Sequence, residues 1–407
     1  DAYIPGMVDM QNAVRPFANF AQPNNMATFL LMALMGCLYL YETRKIKTSI
    51  LSLCALMIIF AVALSQSRTS WLACLCILVY GAYQQYKGYI RLKYYYTLAW
   101  LALFVGFILL LPLATQWIGD ITTIEVAQTK TVAERATGDM SRLAIWQQML
   151  YAICDRPWFG YGWHQTSVAY TLVSDHAQGP VWIRSAHNFV IDFILWNGLL
   201  VGLPFLAYFG YWGYQLNKQV NSVESVIGIL MLGVVLVHGM LEFPLFYAYF
   251  LLPMGFILGV VQSQNNKILS ITLSPRYLQV IFILGMLLLG VIYRDYEVMV
   301  PKLNQSVRYE HRPEKITNQD KIYLLEEFNR RIAWIRMNPY STVSDQELAQ
   351  IREIVLNYPT RYDLIKYAKV LAFNGQEKEA RHQLWLLKQL HQVDLDYASL
   401  APPMPSQ

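Results

Sequence analysis

The chain has 407 residues, of which 55% are hydrophobic, 14% aromatic and only 14% charged, with a net charge of +5. That balance excludes an ordinary soluble globular protein, in which roughly a quarter of residues are charged. The basic excess sits mostly in short loops and gives no reason to invoke nucleic acid.

Several apolar runs are long enough to cross a hydrocarbon core of roughly 30 Å. The chain begins at Asp1 without a visible signal peptide. Residues 1–25 therefore read as a loop of a piece that lacks upstream helices. Four spans are predicted first: Met26–Tyr41, Ser49–Ala63, Trp71–Tyr86 and Tyr94–Ala114. A long loop, 115–186, follows. Then come Leu199–Leu216, Val226–Met240, Leu245–Val261 and Tyr277–Tyr293, with Gly239 and Pro244 folding one long apolar run into a hairpin. The expected architecture is all-α: a polytopic transmembrane helical bundle, residues 1–293, and a soluble helical domain, residues 294–407.

Orientation follows from lysine and arginine in short loops. Arg44, Lys45 and Lys47, then Lys87, Arg91 and Lys93, then Lys218, and finally Lys267 and Arg276 fall on one side. That side is cytoplasmic. Residues 1–25, the turn at Arg68, the loop 115–186, the turn at Glu242 and everything after Tyr293 fall on the other. Cys37, Cys54, Cys74 and Cys76 lie within spans and Cys154 stands alone in the loop, so no exposed disulfide is expected. Cys74 and Cys76 face different sides of a helix. No acidic cluster stands outside either, so neither a metal nor a cofactor is expected.

The outer face holds the candidate chemistry. Arg68, in Ser65-Gln66-Ser67-Arg68-Thr69-Ser70-Trp71, reads two ways: a snorkelling interfacial arginine, or an anion site whose planar fork suits phosphate. Arg142 opens an amphipathic helix that Ser141 can cap, with Leu143, Trp146, Met149, Leu150 and Ile153 at helical spacing. The helix ends at Asp155-Arg156-Pro157, before an aromatic stretch containing Gly160 and Gly162. These aromatics read as an interfacial belt or as a platform for sugar rings. His187 and Asn188 then open the apolar run from Phe189 to Leu216. A polar pair at the mouth of a membrane helix is costly unless something uses it. A neutral histidine can take a proton from a hydroxyl; the plainer alternative is a hydrogen bond at a helix start. Asp192 can share a face with Asn188, and Arg184 precedes them. Gly198 and Gly202 allow close helix approach. Glu242, an acid in an apolar hairpin, should have a partner among the arginines.

Taken in order, these pieces resemble the O-antigen ligase superfamily, and within it the pilin-type protein O-oligosaccharyltransferases. The matching segments are Gln22-Pro23-Asn24-Asn25, Ser67-Arg68-Thr69-Ser70-Trp71, Arg142 with Trp146, Asp155 to Gly162, and His187-Asn188 with Gly198. Leu241-Glu242-Phe243-Pro244-Leu245 with Tyr247-Ala248-Tyr249-Phe250 is similar to the protein-glycosylating branch. Where such ligases often carry a small or polar residue three after the motif glycine, this chain has Val201, with its second glycine at Gly202. The resemblance implies an undecaprenyl-diphosphate glycan as donor and a Ser or Thr hydroxyl of a pilin-like protein as acceptor. It implies a site facing the periplasm from the bacterial inner membrane. It gives His187, Arg142 and Arg68 catalytic roles and places Arg184, Asn188, Asp192, Glu242, Gln22 and Asn24 around the substrates.

The C-terminal region is predicted to be helical. Lys321–Met337 is amphipathic. Ser344 and Glu347 can form a capping box. Two apolar stripes, Leu364/Ala368/Leu371/Ala372 and Ala380/Leu384/Leu387, flank a turn at Asn374-Gly375, like one tetratricopeptide unit. The unit is either a cap on the membrane domain or a seat for the acceptor; Pro402, Pro403 and Pro405 end the chain as a tail. Two other functions remain open. One is a ligase acting on lipid A-core, or a polymerase. The other is a transporter, which should place charges near mid-bilayer.

Overall fold

The computed structural model describes residues 15–121, 141–176, 182–264, 273–310 and 320–402, with 312 and 315. Residues 1–14, most of the segment before Arg142, and Pro403 and Pro405 fall outside these. Among the described residues every regular element is helical. The chain divides into two compact units. One comprises 1–166 and 185–268, the other 167–184 and 269–407.

The first unit contains α1 (Pro23–Glu42), α2 (Thr48–Leu64), α3 (Arg68–Tyr86), α4 (Tyr94–Ile121), α5 (Ser141–Asp155), α7 (Phe189–Lys218), α8 (Val223–Gly239) and α9 (Ala248–Ser263). Helices α1 and α8 form its centre: α1 packs on α2, α3 and α8, and α8 packs on α1, α3 and α9. Their seam is the buried row Ala27, Leu31, Leu34, Met35 and Leu38 against Val226, Ile227, Leu230 and Val234. Helices α1 and α7 and residues Tyr94–Ala114 of α4 are long and apolar enough to cross a membrane; α2, α8 and α9 are shorter apolar helices. The outward faces of α2 and α4 keep large apolar side chains exposed, among them Met57, Leu110 and Leu113. Such a surface calls for a covering of lipid or of other apolar protein.

Two local expectations change. The buried face of α5 is Ile145, Met149 and Ala152, while Leu143 and Leu150 are exposed. A helix lying between protein and lipid presents apolar residues to both, so its periodicity does not say which stripe is inside. Gly198 does not serve helix approach. It breaks α7, at φ 69° and ψ 177°, a region open almost only to glycine. The freed carbonyls of Leu195 and Trp196 accept hydrogen bonds from the backbone N–H groups of Tyr161 (2.9 Å) and Gly162 (3.0 Å), and the N–H groups of Leu199 and Leu200 donate to the carbonyls of Pro157 and Trp158. A Cβ on Gly198 would fall 2.2 Å from the Trp158 carbonyl oxygen, and one on Gly160 would fall 2.4 Å from that of Leu195. The aromatic loop is thus laced into the helix break: Gly198 makes room for the backbone at Trp158–Phe159, and Gly160 for that at Leu195–Gly198.

The second unit contains α6 (Thr166–Leu172) beyond its first residue, α10 (Pro275–Arg308), α11 (Glu327–Arg336), α12 (Asp345–Asn357), α13 (Arg361–Phe373) and α14 (Glu377–His391). Helix α10 runs unbroken past Tyr293 and is also long and apolar enough to span. The amphipathic stretch from Lys321 yields a helix only from Glu327. The preceding N–H groups of Tyr323, Leu324 and Leu325 are taken by the buried Asp295 carboxylate, which fixes a turn instead. The capping box at Ser344 and Glu347 forms, and α13 and α14 pair across the turn at Gly375, whose φ is 76°. Arg331 and the Trp334 indole both reach the buried Asp363. Segment 167–184 is built into this unit. The Ser167 hydroxyl donates to the Leu356 carbonyl (3.2 Å) and accepts from the Trp182 indole (2.8 Å), and the Arg184 guanidinium lies 4.6 Å over Tyr358.

Candidate active site

The turn between α8 and α9 carries Glu242, only 7% exposed. A carboxylate in such a place needs partners for both oxygens. Oε2 meets His187 Nδ1 at 2.8 Å. Oε1 accepts from the Arg142 guanidinium and, at 3.0 Å, from the Asn24 amide. The partner expected among the arginines is therefore Arg142, from α5. Asn24 in turn accepts from Arg15 Nη2 at 3.2 Å, and Arg15 Nε donates to the Ser65 carbonyl at 2.8 Å. This ties the network to the hydroxyl-rich turn that leads into Arg68 at the start of α3. Burial raises the proton affinity of Glu242. His187, Arg142 and His238 outweigh that, and its pKa lies below the ordinary glutamate value. Glu242 is thus an anion holding a histidine and an arginine together.

His187 is set from behind as well. Its φ of 54° is left-handed, uncommon for a residue with a Cβ and tolerated only when the surroundings enforce it. Its N–H donates to Ser185 Oγ at 3.0 Å, and Ser185 Oγ donates to Asp192 at 2.6 Å. Asp192, 2% exposed, also accepts from the Ala186 N–H (2.9 Å) and the Thr166 hydroxyl (2.7 Å). Trp146 donates to the Ala186 carbonyl at 2.9 Å. Asn188 caps α7 through Val190 and Ile191, and its amide donates to the Met240 carbonyl beside Glu242. The imidazole rests edge-on against Phe243, 5.1 Å between centroids. Nδ1 is engaged by Glu242, and among the described residues nothing bonds Nε2.

The structure thus brings together His187, Arg142, Glu242, Asn24, Asn188 and Asp192. The side chains of Asn188 and Asp192 are occupied in shaping the histidine turn. Gln22 precedes α1 without capping it. Arg184 belongs to the second unit. Sequence reasoning missed Arg15, hidden in a segment read only as a loop. It also missed His238, fully buried one turn before Glu242, whose Nδ1 meets the Thr28 hydroxyl at 2.9 Å. An ionisable residue inside a span was the available signal.

The described residues form a polytopic helical bundle that gathers a histidine, a carboxylate and an arginine, a set with the chemistry to take up a proton beside an anion. Comparison with known proteins supplies the family. Residues 53–206 match the O-Antigen ligase family, 16–41 the Protein glycosylation ligase family, and 226–397 the family described as virulence factor membrane-bound polymerase, C-terminal. The chain is 40% identical, over 97% of its length and 69% of the relative's, to a General O-oligosaccharyltransferase of Acinetobacter baylyi. It is 27% identical, over 91% of its length and 67% of the relative's, to a ComP-specific O-oligosaccharyltransferase of the same organism. No solved structure matches. The chain belongs to the O-oligosaccharyltransferase family, within the O-antigen ligase superfamily. It is a multi-pass membrane glycosyltransferase of O-linked glycan transfer.

Proposed function

We propose that the protein transfers an oligosaccharide from undecaprenyl diphosphate to a Ser or Thr hydroxyl of a pilin-like protein, on the periplasmic side of the bacterial inner membrane. The observation that carries this is the single carboxylate shared by His187 and Arg142. Glu242 accepts from Nδ1–H, which leaves the Nε2 lone pair for the acceptor hydroxyl and supports the imidazolium that forms, the logic of an oriented catalytic histidine. The hydroxyl oxygen attacks the anomeric carbon as its proton passes to Nε2. The bond from that carbon to the diphosphate oxygen breaks, and the electron pair leaves with the lipid diphosphate. Arg142 and Arg68 stabilise that charge; fixed cations aimed at developing charge are usually the largest catalytic term. Asn188, Asp192 and Asn24 hold the machinery in place, while Gln22 and Arg184 remain candidate substrate contacts.

The match to an O-antigen ligase family over 53–206 favours a second reading, in which the acceptor is a lipid A-core sugar. The test co-expresses the protein with a pilin and a defined lipid-linked glycan and weighs the intact pilin. A mass increase of one glycan is expected. An unmodified pilin beside glycan-extended lipid A-core selects the second reading.

A further inference from the structure

The proposed reaction gives Arg15 no task, although its guanidinium joins two parts of the site. The segment that carries it is docked. Arg15 precedes a short turn at Ala18–Phe20. The Phe20 carbonyl accepts from the Asn25 amide at 3.1 Å and from the Tyr249 hydroxyl at 3.3 Å. The Phe20 ring packs on Phe29 and Tyr249, with centroids 4.9 and 5.6 Å apart. From this base Nη2 donates to Asn24 Oδ1 at 3.2 Å, and Asn24 Nδ2 donates to Glu242 Oε1 at 3.0 Å. An amide has a donor end and an acceptor end of similar shape. The bond from Arg15 selects the end that meets the carboxylate; a reversed amide would set oxygen against oxygen.

The second bond runs from Arg15 Nε to the Ser65 carbonyl at 2.8 Å. That carbonyl lies at the end of α2, where a helix supplies no partner of its own. The turn beyond it is tied to itself. Ser65, Ser67, Thr69 and Ser70 are all buried. The Ser67 N–H donates to Ser65 Oγ at 3.3 Å, Ser67 Oγ meets Thr69 Oγ1 at 2.6 Å, and Ser70 Oγ donates to the Ser67 carbonyl at 2.6 Å. Arg68 opens α3 within this set, so a shift at Ser65 is passed on to it. At the other end of the link Glu242 holds Arg142 and His187. Arginine suits such a bridge, because its planar fork keeps two bonds at a fixed angle, whereas a lysine ammonium is a point on a flexible stem. We infer that Arg15 is a positioning residue for transfer, holding the Arg68 turn and the Glu242 carboxylate at a fixed separation. The cation that meets the leaving diphosphate and the base that takes the acceptor proton then stay in register. The inference rests on the roles proposed above for Arg68 and His187.

The test uses the full chain in nanodiscs with an undecaprenyl-diphosphate glycan and a pilin. Misplacing reacting groups by about 1 Å can cost on the order of 10²-fold. Arg15→Ala is therefore expected to lower kcat about 10–100-fold and to leave donor affinity, measured by equilibrium dialysis, unchanged. The double variant with Asn24→Ala should lose no more than Asn24→Ala alone, because both cut one link. Free ethylguanidinium should restore kcat to Arg15→Ala and not to Asn24→Ala. An unchanged kcat, or losses that multiply in the double variant, overturns the inference. So does a donor affinity that falls as far as kcat, which would make Arg15 a direct ligand of the diphosphate. If Arg15→Ala does not fold, Arg15→Lys carries the test, and full activity in it overturns the inference. A second arm needs no turnover. Hydrogen–deuterium exchange in Arg15→Ala should quicken both at 65–70 and at 240–243; quickening at one end alone refutes the bridge. If the unmodified chain transfers no glycan, the proposed function fails while this arm still reads the link.

Discussion

Glu242 holds the ring of His187, and Asp192 holds its backbone through Ser185 and Ala186. If Nε2 is the base, His187→Ala loses about 10²–10⁴-fold in rate, the contribution of a positioned acid–base group. Donor binding, measured by equilibrium dialysis, survives. The rate of the unmodified enzyme depends on pH. A flat pH profile and an active His187→Gln would instead mean that the ring only positions the acceptor. Arg142→Ala and Arg68→Ala are expected to abolish transfer in folded protein, and the lysine variants to rescue incompletely, because a point charge lacks the planar fork. Glu242 adds a stability term. Its pKa is depressed on folding, so its stabilisation is present above the ordinary glutamate value and lost as pH falls through the depressed one. Thermal unfolding in detergent should show a loss on acidification that Glu242→Gln flattens.

At the scale of elements, the site depends on a helix that breaks where the sequence looks continuous. Residues 189–218 form one apolar run, but Gly198 interrupts it and the Asp155–Gly162 loop fills the interruption. This joins the end of α5, which carries Arg142, to the helix that His187 precedes. Gly198→Ala forces a Cβ against the Trp158 carbonyl and a disallowed backbone. It is expected to destabilise by at least the roughly 1–3 kcal/mol of such strain, read as a lower melting temperature. It should also cost activity, because the joint between the two helices opens. A variant with the unmodified protein's melting temperature would remove the lacing from the account. The sequence contained the two glycines and the aromatic loop, but not that the loop docks into the helix break, because backbone-to-backbone docking leaves no periodic trace.

Across the whole molecule, the side on which the site lies comes from the loop charges. The proposed orientation puts Gly88 in the cytoplasm and Gly375 in the periplasm. Single cysteines at these positions, in a background without the native cysteines, should react with an impermeant maleimide in intact cells at position 375 and not at 88. Labelling at 88 alone would reverse the orientation.

Composition and hydropathy alone decided that this is an α-helical membrane protein, since runs of that length and apolarity are stable only as helices in lipid. Ordered local motifs decided the family and pointed to His187, Arg68, Arg142 and Glu242, because polar residues at helix mouths stand out against apolar surroundings. The capping box at Ser344 and the α13–α14 hairpin were also legible, since both are made by residues close in sequence. Only the tertiary structure decided that Arg142 and His187 share Glu242, that Arg15 joins Asn24 and the Ser65 turn, and that Asp192 acts through the backbone of His187. It alone allots Arg184 to the second unit. Each of these joins residues far apart in the chain, and such a joining has no signature in the local pattern of residues.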